Sequence, residues 1–183
     1  MRYAQIRVMD ISNGEGIGVA LFVQGCHFHC KNCFNPETWD FKGGEYWDEN
    51  TEEYFLSLIS NPHIKRVTIL GGEPLCDENV SQVYELLKKI IHRFGNTKKI
   101  WVYTGYELED IISHPLSENP CRTEVLSLID VLVDGRYIDE LKSLQHKWVG
   151  STNQRVIDLK KSIEQDEIVL YQGVYDKYGK TNT

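Results

Sequence analysis

Val19-Ala20-Leu21-Phe22-Val23 is an unbroken apolar run set between Gly18 and Gly25. It is too short for a buried helix, rich in β-formers and free of polar alternation. That combination suits a strand covered on both faces, as in a parallel sheet clothed by helices. A loop carrying Cys26, Cys30 and Cys33 leaves its carboxyl end. Three further segments repeat the arrangement of apolar strand and glycine-bearing end: Arg66 to Leu70 before Gly71-Gly72-Glu73-Pro74, Lys99 to Tyr103 before Thr104-Gly105, and Val131 to Val133 before Asp134-Gly135.

Between the second and third of these strands, Val80, Val83, Tyr84, Leu87, Ile90, Ile91 and Phe94 recur at helical spacing and form one apolar face from Glu78 to Phe94. An earlier helix is expected from Asn50, capped with Glu53, through about Ser60. Tyr3 to Val8 reads as an edge strand and Asn13 to Gly18 as a turn. Strand, loop and helix in succession imply crossovers and a parallel sheet, with the ligand site beyond the carboxyl ends of the strands. A complete eight-unit barrel takes ~250 residues. At 183 residues the chain is expected to be one α/β domain, an open partial (β/α) barrel with a mostly parallel sheet. Its open side would admit a large partner. Tyr137 to Asp158 offers few apolar runs, Gly150 to Gln154 reads as loop, Ile168 to Tyr171 as one more strand, and the polar tail from Asp176 as frayed.

Thiolates suit iron-sulfur clusters or zinc. A closed structural zinc site and an electron-transfer 4Fe-4S cluster each take four ligands, whereas this loop supplies three thiols. Two chemistries remain open at this point. One is a cluster with an open iron that binds a small molecule; the other is a zinc site completed by His27 or His29. Five cysteines, three of them in one loop, suit a reducing compartment better than a disulfide framework. No apolar run of ~18 residues is present, and Met1 to Asp10 carries charges where a signal peptide needs an apolar core, so a cytoplasmic protein without membrane association is expected. A net charge of -7 opposes binding to nucleic acid.

The CxxxCxxC loop at the end of a first buried strand, followed by Gly71-Gly72-Glu73-Pro74, resembles the radical S-adenosylmethionine (SAM) enzymes. Asn13-Gly14, Phe22 to Cys26, Cys33-Phe34-Asn35, Tyr103 to Tyr106, Val133 to Gly135 and Gly150 to Gln154 resemble, within that superfamily, the small activases of anaerobic ribonucleoside-triphosphate reductase. The resemblance implies that Cys26, Cys30 and Cys33 hold three irons of a 4Fe-4S cluster, with SAM on the fourth. It also implies that Gly71, Gly72 and Glu73 meet the methionine amino end. Tyr103 and Thr104 end a strand at the active face, where SAM contact and simple core termination are both open, and Phe34 offers packing in place of the aromatic residue missing before the third cysteine. Reductive cleavage of SAM would then yield a radical that removes a hydrogen from a glycine of the large reductase subunit, the partner, using electrons from a reducing donor.

Two departures stand out. The resembled turn reads Asn-Gly-Pro-Gly with an arginine shortly after, where this chain has Glu15 and Gly18. An aromatic residue commonly precedes the third cysteine, where this chain has Asn32, able to hydrogen-bond adenine or backbone. His114 to Thr123 and the segment from about 160 to 183 look like additions to the smallest versions. His27 and His29 are read as hydrogen-bonding loop residues, Cys76 as a half-buried structural thiol, Trp101 as core and Asp134 as a turn cap. Trp39, Phe41, Tyr46 and Trp47 are a partner surface or packing over the barrel end. Two alternatives remain: an activase of another glycyl-radical enzyme, of the pyruvate formate-lyase type, and a noncatalytic zinc-binding module.

Overall fold

The computed structural model describes residues 1–113 and 120–173. Seven strands form one open sheet in the order β3-β1-β2-β4-β5-β6-β7. They are β1 (Arg2–Asp10), β2 (Gly18–Val23), β3 (Glu45–Tyr46), β4 (Arg66–Gly71), β5 (Lys99–Tyr103), β6 (Val131–Asp134) and β7 (Arg155–Asp158). The central four, β2, β4, β5 and β6, run parallel. β1 and β7 flank them antiparallel. Every residue of β2 is buried, as its unbroken apolar run requires.

The helices are α1 (Glu49–Ile59), α2 (Asp77–Phe94), α3 (Leu108–Ser113), α4 (Cys121–Glu124) and α5 (Leu159–Gln165). Their apolar faces pack on one side of the sheet. Val19, Leu21 and Val23 of β2, Val67 and Ile69 of β4, and Ile100 and Val102 of β5 share a core with Phe55 and Ile59 of α1 and Val83, Leu87 and Ile90 of α2. Alternate residues point the other way. Ala20, Phe22 and Leu70 form one small cluster there, and Trp101, Val131, Val133, Val156 and Tyr171 another. Among the described residues no α-helix contributes to these two clusters, and that second face carries the cavity described below.

Several local expectations change. The cap of α1 is Asp48, whose extended backbone lets its carboxylate accept from the Thr51 amide at 2.8 Å, rather than Asn50. β7 and α5 arise where no strand or helix was expected. Ile168 to Tyr171 is not a full strand: Leu170 bridges Ile157, and the Asp158 and Tyr171 amides bond across to Val169 and Val156. Part of the carboxyl-terminal addition thus borders β7 and places Tyr171 beside Trp101, ring centroids 5.2 Å apart. Cys76 is fully rather than half buried, at 1% exposure, and Trp101 is core. Most of the apparent insertion near residues 114–123, and the tail from Asp176, lie outside the described residues.

Candidate cofactor site

The cysteine loop is held from two sides. Gly25 has φ +98 and lies under the ring of Phe41, leaving no room for a side chain. Its carbonyl accepts from the Glu73 amide at 2.7 Å, and the Gly72 amide donates to Val23 at 2.9 Å. The buried Asn79 side chain donates to both the Gln24 carbonyl (2.9 Å) and the Glu73 carbonyl (3.1 Å). The two glycine-bearing strand ends therefore form one bonded unit. On the far side, the Phe28 ring stands edge-on to Tyr106 at 4.9 Å, and Arg136 donates to the Phe28 carbonyl at 2.9 Å. Gly105 permits this, because a Cβ there would lie 2.5 Å from the Phe28 ring.

These contacts place Cys26, Cys30 and Cys33 on the wall of an open cavity of about 470 Å3, which Gly71, Gly72, Glu73, Tyr103 and Thr104 also line. The volume is that of a small-molecule site. Phe34 joins them, edge-on to Tyr137 at 5.1 Å. Asn32 does not line the cavity. It takes a left-handed backbone, φ +54, which asparagine tolerates better than an aromatic residue would, and its amide donates to Asp139 at 2.7 Å. Its side chain serves as a tether for the loop. The histidines are engaged elsewhere: His27 bonds Glu78 at 2.8 Å, and His29 stacks on Trp39 at 4.8 Å. Among the described residues, no three His, Cys, Asp or Glu side chains converge as they would round one ion.

Glu73 is 2% exposed, and both carboxylate oxygens are engaged. One accepts from the Leu75 amide (2.9 Å) and the Thr104 hydroxyl (2.7 Å), the other from the Gly105 amide (2.7 Å). Burial pushes its pKa up to about 7 against these three donors. The oxygen facing Gly105 keeps a free lone pair. The Tyr103 hydroxyl is buried with no partner among the described residues, and burial raises its pKa well above the usual phenol range. Burial also pushes the Cys26 thiol up to about 11, so its thiolate needs a cation beside it. Three thiols, a carboxylate with spare accepting capacity and an orphaned hydroxyl around one cavity fit an iron-sulfur cluster together with a polar, cationic small molecule.

Sequence reasoning missed several lining residues. Phe28, Arg136, Tyr137 and Trp148 all border the cavity. Trp148 at φ +64 gave no sign in the sequence, whereas an aromatic residue inside a cysteine loop was a readable one. Asp134 acts as a cap, accepting from the Leu108 amide at 3.0 Å. Gly150 to Gln154 clips onto the end of β6, Gln154 accepting from the Gly150 amide and donating to the Gly135 carbonyl, each at 2.9 Å.

A family described as a 4Fe-4S single cluster domain matches residues 12–157. The anaerobic ribonucleoside-triphosphate reductase-activating protein of Salmonella typhi is 36% identical over 162 residues, covering 87% of this chain and 100% of that protein. The protein of the same name from Escherichia coli K12 is 35% identical over equal coverage. Its counterpart from Enterobacteria phage T4 is 36% identical over 156 residues, 85% of this chain and 93% of its own. By this similarity along most of its length, the chain belongs to the family of anaerobic ribonucleoside-triphosphate reductase-activating proteins.

Proposed function

We propose that this protein is a radical SAM activase: it cleaves SAM reductively at a 4Fe-4S cluster bound by Cys26, Cys30 and Cys33, and generates a glycyl radical on the large subunit of anaerobic ribonucleoside-triphosphate reductase. The observation that carries the reading is the bonded unit of cysteine loop and Gly71-Gly72-Glu73 turn, with all three thiols and both glycines on one cavity. When bound, the cluster and SAM supply the hard chemistry, a one-electron cleavage of a carbon-sulfur bond.

The chain's own residues bind, orient and exclude water. Gly71, at φ +106, packs against the Phe22 backbone and leaves the turn bare of side chains, so a ligand can approach main-chain groups. Glu73 offers its free lone pair to the ligand's ammonium, while Thr104 and the Gly105 amide hold the carboxylate still. The Tyr103 hydroxyl donates to an oxygen of the ligand. Phe34, edge-on to Tyr137, gives the cysteine side of the cavity an apolar rim. The strands form one part of an open (β/α) barrel in a single domain, with residues from about 160 to 183 as an extension. A reducing electron donor in the cytoplasm completes the system, and neither membrane nor nucleic acid takes part.

Anaerobic reconstitution with iron and sulfide, then reduction and electron paramagnetic resonance with and without SAM, tests the reading. A 4Fe-4S signal that changes on adding SAM is expected. A colourless protein that carries zinc and ignores SAM would overturn it. Radical transfer to a different glycyl-radical enzyme, and not to the reductase, would keep the cofactor chemistry and replace the partner.

A further inference from the structure

Arg66 opens β4 at 1% exposure, a cation taken out of water. Its side chain lies on the turn between β1 and β2. One terminal nitrogen donates to the Asn13 carbonyl at 2.7 Å and to the Thr68 hydroxyl. The other donates to the Asp10 carbonyl at 2.8 Å, the Asp10 carboxylate at 2.9 Å and the Gly16 carbonyl at 3.4 Å. The Nε reaches the Glu15 carbonyl at 3.3 Å. A single guanidinium thus ties the end of β1 at Asp10 to three residues of the turn, Asn13, Glu15 and Gly16.

Two glycines make room for it. A Cβ on Gly14, at φ +132, would lie 2.6 Å from the Arg66 Cδ and 2.9 Å from Trp101. A Cβ on Gly18 would lie 2.8 Å from the Arg66 Cζ. Gly18 is also the residue directly opposite Arg66 in the parallel ladder. The guanidinium therefore fills the volume that a side chain at position 18 would occupy, and one such group fits there, not two. The turn so held presents Ser12 and Asn13 to the cavity, and the second Asp10 oxygen faces Arg7 at 3.9 Å, itself a lining residue.

We propose that Arg66 is a positioning residue for the cavity wall formed by the β1–β2 turn, and that Gly18 and Arg66 are an exchangeable pair: β4 delivers the guanidinium that an arginine at position 18 would deliver from β2. Glu15 is held by this chain's addition, its carboxylate accepting from the Tyr171 hydroxyl at 2.6 Å.

The test compares Arg66→Gly, Arg66→Lys, Gly18→Arg and the double variant Gly18→Arg with Arg66→Gly in the full chain. Amide hydrogen exchange before reconstitution is the first readout. Arg66→Gly is expected to speed exchange across residues 10–18 by roughly tenfold or more, and Gly18→Arg alone to do likewise by overfilling the site. The double variant recovers slow exchange, once a 2.9 Å approach of the new Cβ to the carbonyl of residue 66 relaxes. Should Arg66→Gly not fold, Arg66→Lys decides: an ammonium has three donors against the six acceptors met now, so loosening confined to residues 10–18 supports the proposal.

A second readout rests on the activase reading. In reconstituted protein, Arg66→Lys raises KM for the purified reductase subunit by about fivefold with a smaller change in kcat. Parental exchange rates in Arg66→Gly, a double variant as loose as Arg66→Gly, or a kcat loss without a KM change would each overturn the proposal. Failure of the parent to cleave SAM would instead count against the activase reading and leave the exchange data to decide this one.

Discussion

Replacing Glu73 by Gln should flatten the dependence of stability on pH through the neutral range. The carboxyl is 2% exposed, and burial raises its pKa from 4.5 to about 7. A raised acid helps the folded state fully below its unfolded value, and that help is lost as pH climbs through the folded value. The gap between 4.5 and about 7 corresponds to about 3 kcal/mol by linkage, so the cluster-free parent should be more stable near pH 5 than above pH 8 by that order. In a chain of 183 residues this is roughly 6–12 °C in Tm. Thermal and urea unfolding of parent and Glu73→Gln across that range is the assay. The variant should lose this slope. The amino terminus and other shared groups titrate alike in both proteins and cancel in the difference. A variant with the parental slope would refute the argument that burial sets this acidity.

Three further outcomes are expected. Cys30→Ala should abolish the visible absorbance of the reconstituted cluster while changing cluster-free stability by less than about 1 kcal/mol, since the residue is half-exposed; a variant that keeps full absorbance would remove Cys30 from the ligand set. Gly105→Ala should drive a methyl into the Phe28 ring, 2.5 Å away, and cost ~1–3 kcal/mol in urea unfolding, with faster amide exchange in the cysteine loop. Arg155→Met should cost ~3–5 kcal/mol, because Asp134, at 0% exposure, would keep only the Leu108 amide and lose its cation. The same change should erase a limb of acid stability. Arg155 holds the Glu109 carboxyl down to about 2, so the parent gains from this pair above pH 4.5 and loses that gain as pH falls toward 2, which an acid titration of unfolding would reveal.

Much of the sheet was legible because burial writes itself into composition. β2, β4, β5 and β6 are apolar runs, and α2 carries a clean helical stripe, so both emerge within a residue or two of their expected ends. β7 was not legible. Arg155-Val156-Ile157-Asp158 is two apolar residues between charges, and it becomes a strand through antiparallel pairing with β6 and through Arg155 bonding Asp134 and Glu109 across the fold. The antiparallel course of β1 was equally hidden, as was the two-residue β3 that pairs outside it and takes the edge, since alternation marks a half-exposed strand and says nothing of direction or neighbours. At the site, the cysteine spacing and the Gly-Gly-Glu-Pro turn were readable as chemistry. The direction of Asn32 was not, because its partner Asp139 lies 107 residues away. Nor was the setting of the Arg66 guanidinium, which depends on which residue stands opposite Gly18 in the ladder.

The hydrogen bonds between Gly25 and Glu73, Val23 and Gly72, and Asn79 and both loops have an implication for anyone moving this chemistry to another scaffold. An eight-residue graft of the cysteine loop would arrive without its splint, its Gly25 carbonyl bare and its entry angle undetermined. The smallest transplantable part spans β2, the loop, β4 and the first turn of α2 through Asn79, two parallel strands whose register is preserved. Drift in such a part is shared, so substitutions tolerated at one strand end should depend on what stands at the other.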